Sequence, residues 1–259
     1  MVMCADTFVS STKDPEPLKV IVIFPAKNEA GTIKTCIETV KQSKYRPSII
    51  VADGYSTDNT RAIASENGAE VVMSQKRIHP GKGAAMKAGL QAALSKETDV
   101  IVFLDADLMN LTAEWLDKLV NAIAEEHYDM ARGTYLRNPR DAGVTKLVAK
   151  PLLNVFFPEV SHFDQPLSGE IAAKAAVWKE LLENDPPDGW GVDVWFLIET
   201  AMRGYKIREV FLGTKEHASF LAYADDLAKL GKMGEQVALA IIREAIKHER
   251  IDNARLTCT

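Results

Sequence analysis

Lys19-Val-Ile-Val-Ile-Phe24, running straight into Pro25-Ala26-Lys27-Asn28-Glu29, decides the fold. Its β-branched and aromatic residues follow one another without polar alternation. That pattern belongs to a strand buried on both faces, as in a parallel sheet. Working outward, similar runs return in Ser48-Ile-Ile-Val-Ala52, Ala69-Glu-Val-Val-Met73 and Asp99-Val-Ile-Val-Phe-Leu104. Between them lie helical periods. Ile33, Ile37 and Val40 share one face, with Asn28 expected as cap. A second helix spans Asp58 to Asn67 and ends at Gly68. A third spans Gly81 to Lys96 with Met86, Leu90 and Leu94 inward, and a fourth spans Thr112 to Glu126 with Leu116, Leu119, Val120 and Ile123. This alternation predicts an α/β fold, a mostly parallel sheet with helices on both faces.

Past residue 129 the regularity loosens. Asp129 to Tyr135 reads as a strand, Val144 to Phe157 as a helix interrupted at Pro151, Val192 to Arg203 as a helix and Ile207 to Leu212 as a strand. Pro166 to Gly169 and Pro186 to Gly191 are rich in turn residues. Ala218 to about Ile251 is one long amphipathic helix carrying Leu227, Leu230, Val237, Ile241, Ile242 and Ile246. The organisation expected is a mobile polar tail (1–17), an α/β domain (18–221) and a C-terminal helical extension (222–259). The apolar stripe of the extension can pack on its own domain or on a second copy, and a homodimer is expected.

Composition narrows the function classes. The 259 residues are 47% hydrophobic and 26% charged, which excludes a disordered, collagen-like or disulfide-stapled chain. The net charge of −5 leaves no basic surplus for a phosphate backbone, so no nucleic-acid partner is expected. Cys4, Cys36 and Cys258 are far apart and odd in number, which suits a reducing compartment and no zinc motif. The N-terminus has no basic start followed by an apolar stretch, and no apolar run approaches the roughly 18 residues of a membrane span. The expected location is cytoplasmic, with no transmembrane segment.

In an open α/β sheet, ligands bind beyond the carboxyl ends of the strands. Three such ends are polar here: Pro25 to Glu29, Asp53 to Asp58, and Asp105-Ala106-Asp107. Residues two apart in extended chain point to one side, so Asp105 and Asp107 would repel unless a cation lay between them. A divalent ion that bridges a diphosphate fits, and hard oxygen ligands select Mg²⁺ or Mn²⁺. Gly81-Lys82-Gly83 opens a helix, where small residues let a backbone approach an anion and Lys82 adds charge. It is neither a Walker A loop nor a dinucleotide fingerprint. Asp193 opens another helix, Asp164 and Glu170 flank Gln165 to Gly169, and His217 follows the last strand. His79 adjoins the glycine loop.

Taken together, FPAKNEAGTI, VADGYSTDNT, HPGKGAAMKAGL, VFLDADL, QPLSGE, GWGVDVWFLIETAMRGYKI and KEH resemble nucleotide-sugar glycosyltransferases of the GT-A (Rossmann-like) fold, most of all the glucosyl-3-phosphoglycerate synthase family. The likeness spans about residues 18–221. It implies that Pro25, Ala26, Lys27 and Glu29 line the nucleotide, that Asp53 lies by the base, and that Lys82 lies by the diphosphate. Asp105, Ala106 and Asp107 would form the DxD motif, with Asp107, His217 and Asp105 around the metal. Leu167, Ser168 and Gly169 would border the transferred sugar, and Asp193 would hold its hydroxyls or the acceptor. Asp107, Leu167 and Asp193 are thus the expected catalytic positions. Two departures stand out. Gly54 and Tyr55 replace the Ser-Gly of the family's Asp-Ser-Gly-Ser-Thr-Asp run. Ala142-Gly143-Val144-Thr145 replaces the Gly-Arg-Val-Thr run that holds the acceptor, so Gly143, Val144 and Thr145 lack the arginine and Arg140 or Lys146 is the candidate substitute.

The function expected is metal-dependent, retaining transfer of a hexose from a nucleotide diphosphate sugar such as UDP-glucose to a small acceptor such as 3-phosphoglycerate. The alternatives are transfer to a polyprenyl phosphate or other acceptor, for instance from GDP-mannose, and a non-catalytic nucleotide-sugar-binding module. A sugar nucleotidyltransferase is disfavoured, because PAKNEAGT stands where its Gly-rich, Arg-bearing loop would be.

Overall fold

The computed structural model describes residues 16–74, 81–138, 142–218 and 227–251. Most of the expected tail, Cys4, Cys258, His79 and Arg140 lie outside the described residues, as does 219–226 at the expected start of the long helix. Seven strands form one sheet: β1 (Val20–Ala26), β2 (Ser48–Asp53), β3 (Glu70–Met73), β4 (Val100–Phe103), β5 (Met130–Leu136), β6 (Ile171–Lys174) and β7 (Ile207–Thr214). Their order is β3-β2-β1-β4-β6-β5-β7. β1 pairs in parallel with β2 and β4, β2 with β3, and β5 with β7, while β6 runs antiparallel to both its neighbours. The sheet is therefore mostly parallel, with one reversed strand at its centre.

Helices cover both faces. On one side lie α1 (Ile33–Val40), α2 (Thr60–Glu66) and α4 (Ala113–Ala124). There Val20, Val22 and Phe24 of β1 join Ile37, Leu116 and Leu119 in one apolar cluster. On the other lie α3 (Lys82–Leu94), α6 (Ala175–Leu182) and α7 (Val192–Met202). The alternate residues Ile21 and Ile23 pack there with Met86, Leu90, Trp178 and Phe196. This two-sided burial is what the unbroken apolar run demanded. Trp178 meets Phe103 and Phe196 edge-on, at 5.1 and 4.9 Å between ring centroids, and its indole N–H donates to the Ile101 carbonyl at 2.9 Å.

A third apolar cluster joins α5 (Lys150–Phe156), α7 and α8 (Leu227–Lys247). Val237, Ala240, Ile241 and Ala245 of α8 are buried against Leu153, Val194, Leu197 and Ile198. Of the expected stripe, Val237 and Ile241 are thus covered within the chain, Leu230 and Ile242 are partly buried, and Ile246 is exposed. α7 faces two clusters at once, and Val192 to Thr200 are all buried, as expected of a helix apolar on every side.

One local reading is corrected. Asn28 does not cap α1, whose N-cap position is Thr32. Asn28 has φ 61°, and its side-chain oxygen accepts the Thr57 N–H at 2.8 Å. The helix expected over Val144 to Phe157 is present as a π-helical turn (Thr145–Ala149) that runs directly into α5, with Pro151 as the second residue of α5. β6 and α6 were not anticipated. Among the described residues, no helix is long and apolar enough to cross a membrane.

Gly89 fixes how closely α3 approaches the sheet. A Cβ there would lie 2.5 Å from Ile23 Cγ2 and 3.3 Å from Ala52 Cβ. Gly89→Val should lower stability by about 2–3 kcal/mol through overpacking. Gly89→Ala should cost less, because about 1 kcal/mol of helix propensity is regained. Urea unfolding checks both, and an unchanged midpoint for the valine variant would contradict this packing.

Candidate active site

The carboxyl ends of β1, β2 and β4 open on one rim of the sheet. β6 is reversed, so its amino end meets the same rim: Phe103 pairs with Ile171, which brings Gly169-Glu170 beside Leu104-Asp105. The start of α3 supplies Lys82, the start of α7 supplies Asp193, and the chain beyond β7 supplies Lys215 and His217.

These elements meet in a chain of alternating charge. The Lys82 ammonium lies 2.9 Å from Asp105 Oδ1 and 2.9 Å from Asp193 Oδ2. Lys215 lies 2.9 Å from Asp105 Oδ2 and 2.7 Å from Glu170 Oε1. The Ser168 hydroxyl donates to Glu170 Oε2 at 3.1 Å. The Lys215 ammonium also stands 4.9 Å from the centre of the Tyr135 ring. Asp193, Lys82, Asp105, Lys215 and Glu170 thus follow one another in a largely buried row. Gly169 is required beneath it: a Cβ there would fall 2.4 Å from Asp105 Oδ1 and 2.6 Å from Lys82 Nζ.

Burial alone would push the Asp105 carboxyl up, but Lys215 and Lys82 hold it well below the usual range. Both lysines are raised despite burial, because carboxylates face them. Asp193 is raised: burial dominates and Asp105 repels it, against the pull of Lys82 and Arg132. Desolvation pushes the Glu29 carboxyl up to about 7, and Asp107 and Asp105 add to it. The rim therefore gathers three carboxylates, Glu29, Asp105 and Asp107, that repel one another, and two lysines clasp Asp105.

His217 reaches the rim through a short antiparallel clamp. Leu108 bridges to His217, the Met109 N–H donates to the Glu216 carbonyl at 2.9 Å, and the Ala218 N–H to the Asp107 carbonyl at 2.9 Å. His217 Nδ1 lies 3.4 Å from Asp107 Oδ2. A carboxylate oxygen and an imidazole nitrogen at that separation suit a shared divalent cation. Both Asp105 oxygens are engaged by lysines, so the fit to a metal rests on Asp107 and His217.

The remaining expected residues lie as follows. Glu29 is partly exposed, and its N–H donates to Thr60 Oγ1 at 2.8 Å. Lys27 is exposed, Pro25 partly so, and Ala26 buried. Asp53 is fully buried, and its oxygens accept the Ser56 N–H at 2.9 and 3.2 Å. The Ala106 carbonyl accepts the Thr32 hydroxyl at 2.7 Å. Leu167 is partly buried, whereas Ser168 is fully buried. Gly143, Val144 and Thr145 lie at the π-helical turn, where a Cβ on Gly143 would be 4.0 Å from Leu230. One expectation is corrected: Gly81 and Gly83 serve a protein contact. A Cβ on Gly83 would meet the Pro187 carbonyl at 1.9 Å, and the Ala84 N–H is taken by the Asp188 carbonyl at 3.0 Å.

Sequence reasoning did not place Lys215 or Arg132. Lys215 is two residues before His217, so extended chain turns both to one side. Arg132 is a charge inside a strand whose neighbours are buried, and it is itself fully buried. Its Nη2 donates to the Pro166 and Ser168 carbonyls at 3.1 and 3.0 Å.

Comparison with known proteins gives one consistent answer. Residues 21–184 match Glycosyl transferase family 2. The chain is 34% identical over 244 residues to the glucosyl-3-phosphoglycerate synthase of Mycolicibacterium paratuberculosis, covering 85% of this chain and 70% of that protein. It is 31% identical over 269 residues to that of Petrotoga mobilis, covering 95% and 79%. The Mycobacterium tuberculosis enzyme solved with Mn²⁺, UDP-glucose and phosphoglyceric acid superposes with a TM-score of 0.75 at 32% identity, covering 88% of this chain and 80% of that one.

Glu29 gives the rim a pH signature. Its folded value, raised to about 7, lies above the ordinary 4.5, so the stability it contributes is present at low pH and lost as pH rises through about 7. Glutamine mimics the protonated form. In chelator-treated protein, Glu29→Gln and wild type should match near pH 4.5, and the variant should gain on the order of 1 kcal/mol by pH 8, discounted for solvent screening. Parallel stability–pH curves for the two proteins would contradict this.

Proposed function

The chain belongs to glycosyl transferase family 2, alongside the glucosyl-3-phosphoglycerate synthases, and from that premise we propose that it transfers glucose from UDP-glucose, with retention, to a small phosphorylated acceptor such as 3-phosphoglycerate. The observation that carries the reading is the row from Asp193 to Glu170, which sets a buried ammonium group, Lys215, and a partly buried one, Lys82, beside the Asp107–His217 pair. A nucleotide diphosphate needs that combination, cations to meet its charge and a carboxylate–imidazole pair to hold a metal. Relatives solved with Mn²⁺ or Mg²⁺ together with UDP support the same site chemistry.

Asp107 and His217 would hold Mg²⁺ or Mn²⁺, which when bound supplies Lewis-acid stabilisation of the leaving diphosphate. The chain's own residues do the rest. Lys82 and Lys215 donate to diphosphate oxygens as negative charge builds there, in a site where little water screens them. Asp193 orients the sugar by accepting from a hydroxyl. Gly169 lets the Asp105–Lys82 pair lie directly on the backbone. No side chain need serve as nucleophile if the departing diphosphate oxygen takes the acceptor hydroxyl's proton on the face it leaves. The glycosidic bond then forms on that same face. Ala142 to Thr145 lack an arginine, so acceptor trials should run beyond phosphoglycerate.

A binding screen of UDP- and GDP-sugars with Mg²⁺ or Mn²⁺, followed by acceptor trials with each hit, tests the reading. Asp107→Ala should abolish metal-dependent donor binding. Asp117→Ala should not, because that carboxylate holds the Ser43 hydroxyl at 2.5 Å away from the rim. Equal effects would remove the basis for the site. The anomeric configuration of the product, read by NMR, should match the donor's; inversion would overturn the same-face mechanism.

A further inference from the structure

Two orphaned polar groups lie behind the charged row. Arg132 is fully buried, and Asp193 is 4% exposed. Nη2 of Arg132 is engaged by the Pro166 and Ser168 carbonyls. Among the described residues its Nε and Nη1 have no hydrogen-bond partner, and neither has Asp193 Oδ1. The two groups are electrostatic neighbours. Asp193 is the leading charge that favours the ionised guanidinium, and Arg132 in turn favours the Asp193 carboxylate. Buried polar groups without partners are rare, and a charged one left unmet is costly. Here one side lacks an acceptor and the other lacks a donor. A single hydroxyl supplies both, since it accepts from N–H and donates to a carboxylate.

Building on the proposed donor, we propose that Arg132 is a specificity-determining residue that donates to one hydroxyl of the transferred hexose while that hydroxyl donates to Asp193 Oδ1. The architecture is suited to reading orientation. The guanidinium is tethered at one nitrogen, because Nη2 donates to two carbonyls of the Pro166–Gly169 turn, which itself borders the row. Lys82 fixes the other Asp193 oxygen. A donor and an acceptor held on both sides accept a hydroxyl in one place and reject a sugar that lacks it, because both orphans then stay unmet.

The test is calorimetric binding of UDP and UDP-glucose, each with Mn²⁺, to wild type, Arg132→Lys and Arg132→Met. Wild type should bind UDP-glucose more tightly than UDP. Both variants should hold UDP within about twofold, which also reports an intact fold, and lose about tenfold or more for UDP-glucose, the worth of a hydrogen bond to a charged group. In a series of UDP-deoxyglucoses lacking one hydroxyl each, wild type should be weakened by one member in particular. Arg132→Lys should be indifferent to that member. Variants that keep the wild-type preference for UDP-glucose over UDP would mean that an ordered water satisfies the pair, and the inference falls. A lysine variant that still discriminates against the same deoxy sugar also overturns it. If wild type binds neither UDP nor UDP-glucose, the donor reading fails first and this inference with it.

Discussion

Asp105 is the point on which the molecule's chemistry and packing converge. It ends the central strand β4, and its two oxygens are clasped by lysines from opposite quarters of the chain. Through Lys82 it ties the start of α3 and, at one remove, the start of α7. Through Lys215 it ties the segment after β7 and the amino end of β6. Withdrawing one partner of a buried ion pair leaves a desolvated charge, at about 3–5 kcal/mol. The arrangement therefore holds together only as a whole, with Gly169 beneath it because no side chain fits there. A sheet rim is ordinarily loose loop; here charge makes it one unit.

The parts of this design that the sequence discloses are those carried by long apolar periods. β1, β2 and β4 are buried on both faces and read as unbroken runs. α4 shows its inward face at helical spacing and was legible for that reason. β6 was not. It is four residues, Ile171-Ala-Ala-Lys174, followed at once by α6, and an Ile-Ala-Ala run serves helix and strand alike. Its place between β4 and β5 is a matter of long-range pairing that no local pattern encodes. Asp105, Asp107, Asp193 and His217 stand out in the sequence because they sit at element ends or repeat a family motif. Arg132 was missed for the opposite reason: a charge in mid-strand is bland until the fold shows that nothing solvates it.

The glycine loop shows how a sound local argument can point to the wrong neighbour. Gly81 and Gly83 do permit close backbone approach, but the backbone that approaches is Pro187-Asp188. That contact locks the beginning of α3 to the turn before α7, and so sets Lys82 against Asp193. Further along α7, Glu199 accepts from Lys247 at 2.8 Å and from Arg203, and it meets His248 at 2.8 Å. Trp195 donates to Glu244 at 2.8 Å. Burial and the adjacent Glu199 push the Glu244 carboxyl up to about 7. The helix that presents Asp193 at one end is thus anchored at the other by the C-terminal helix. Between them lies a buried apolar body.

The base-side rim is where this chain parts from the family run it resembles. Tyr55 takes the place of that run's glycine, yet its φ of 64° is left-handed backbone, which a bulky side chain adopts at a cost of roughly 1–2 kcal/mol. The loop keeps that conformation because it is tied from both sides. Asp53 accepts the Ser56 N–H, the Ser56 hydroxyl accepts the Asn28 N–H at 2.9 Å, and Asn28 accepts the Thr57 N–H. Tyr55 thus sits where the backbone favours glycine, and the buried carboxylate of Asp53 helps to hold the strain in place. The loops after β1 and β2 form one laced unit, so a substitution at Tyr55 acts through the side chain and not through a reshaped loop.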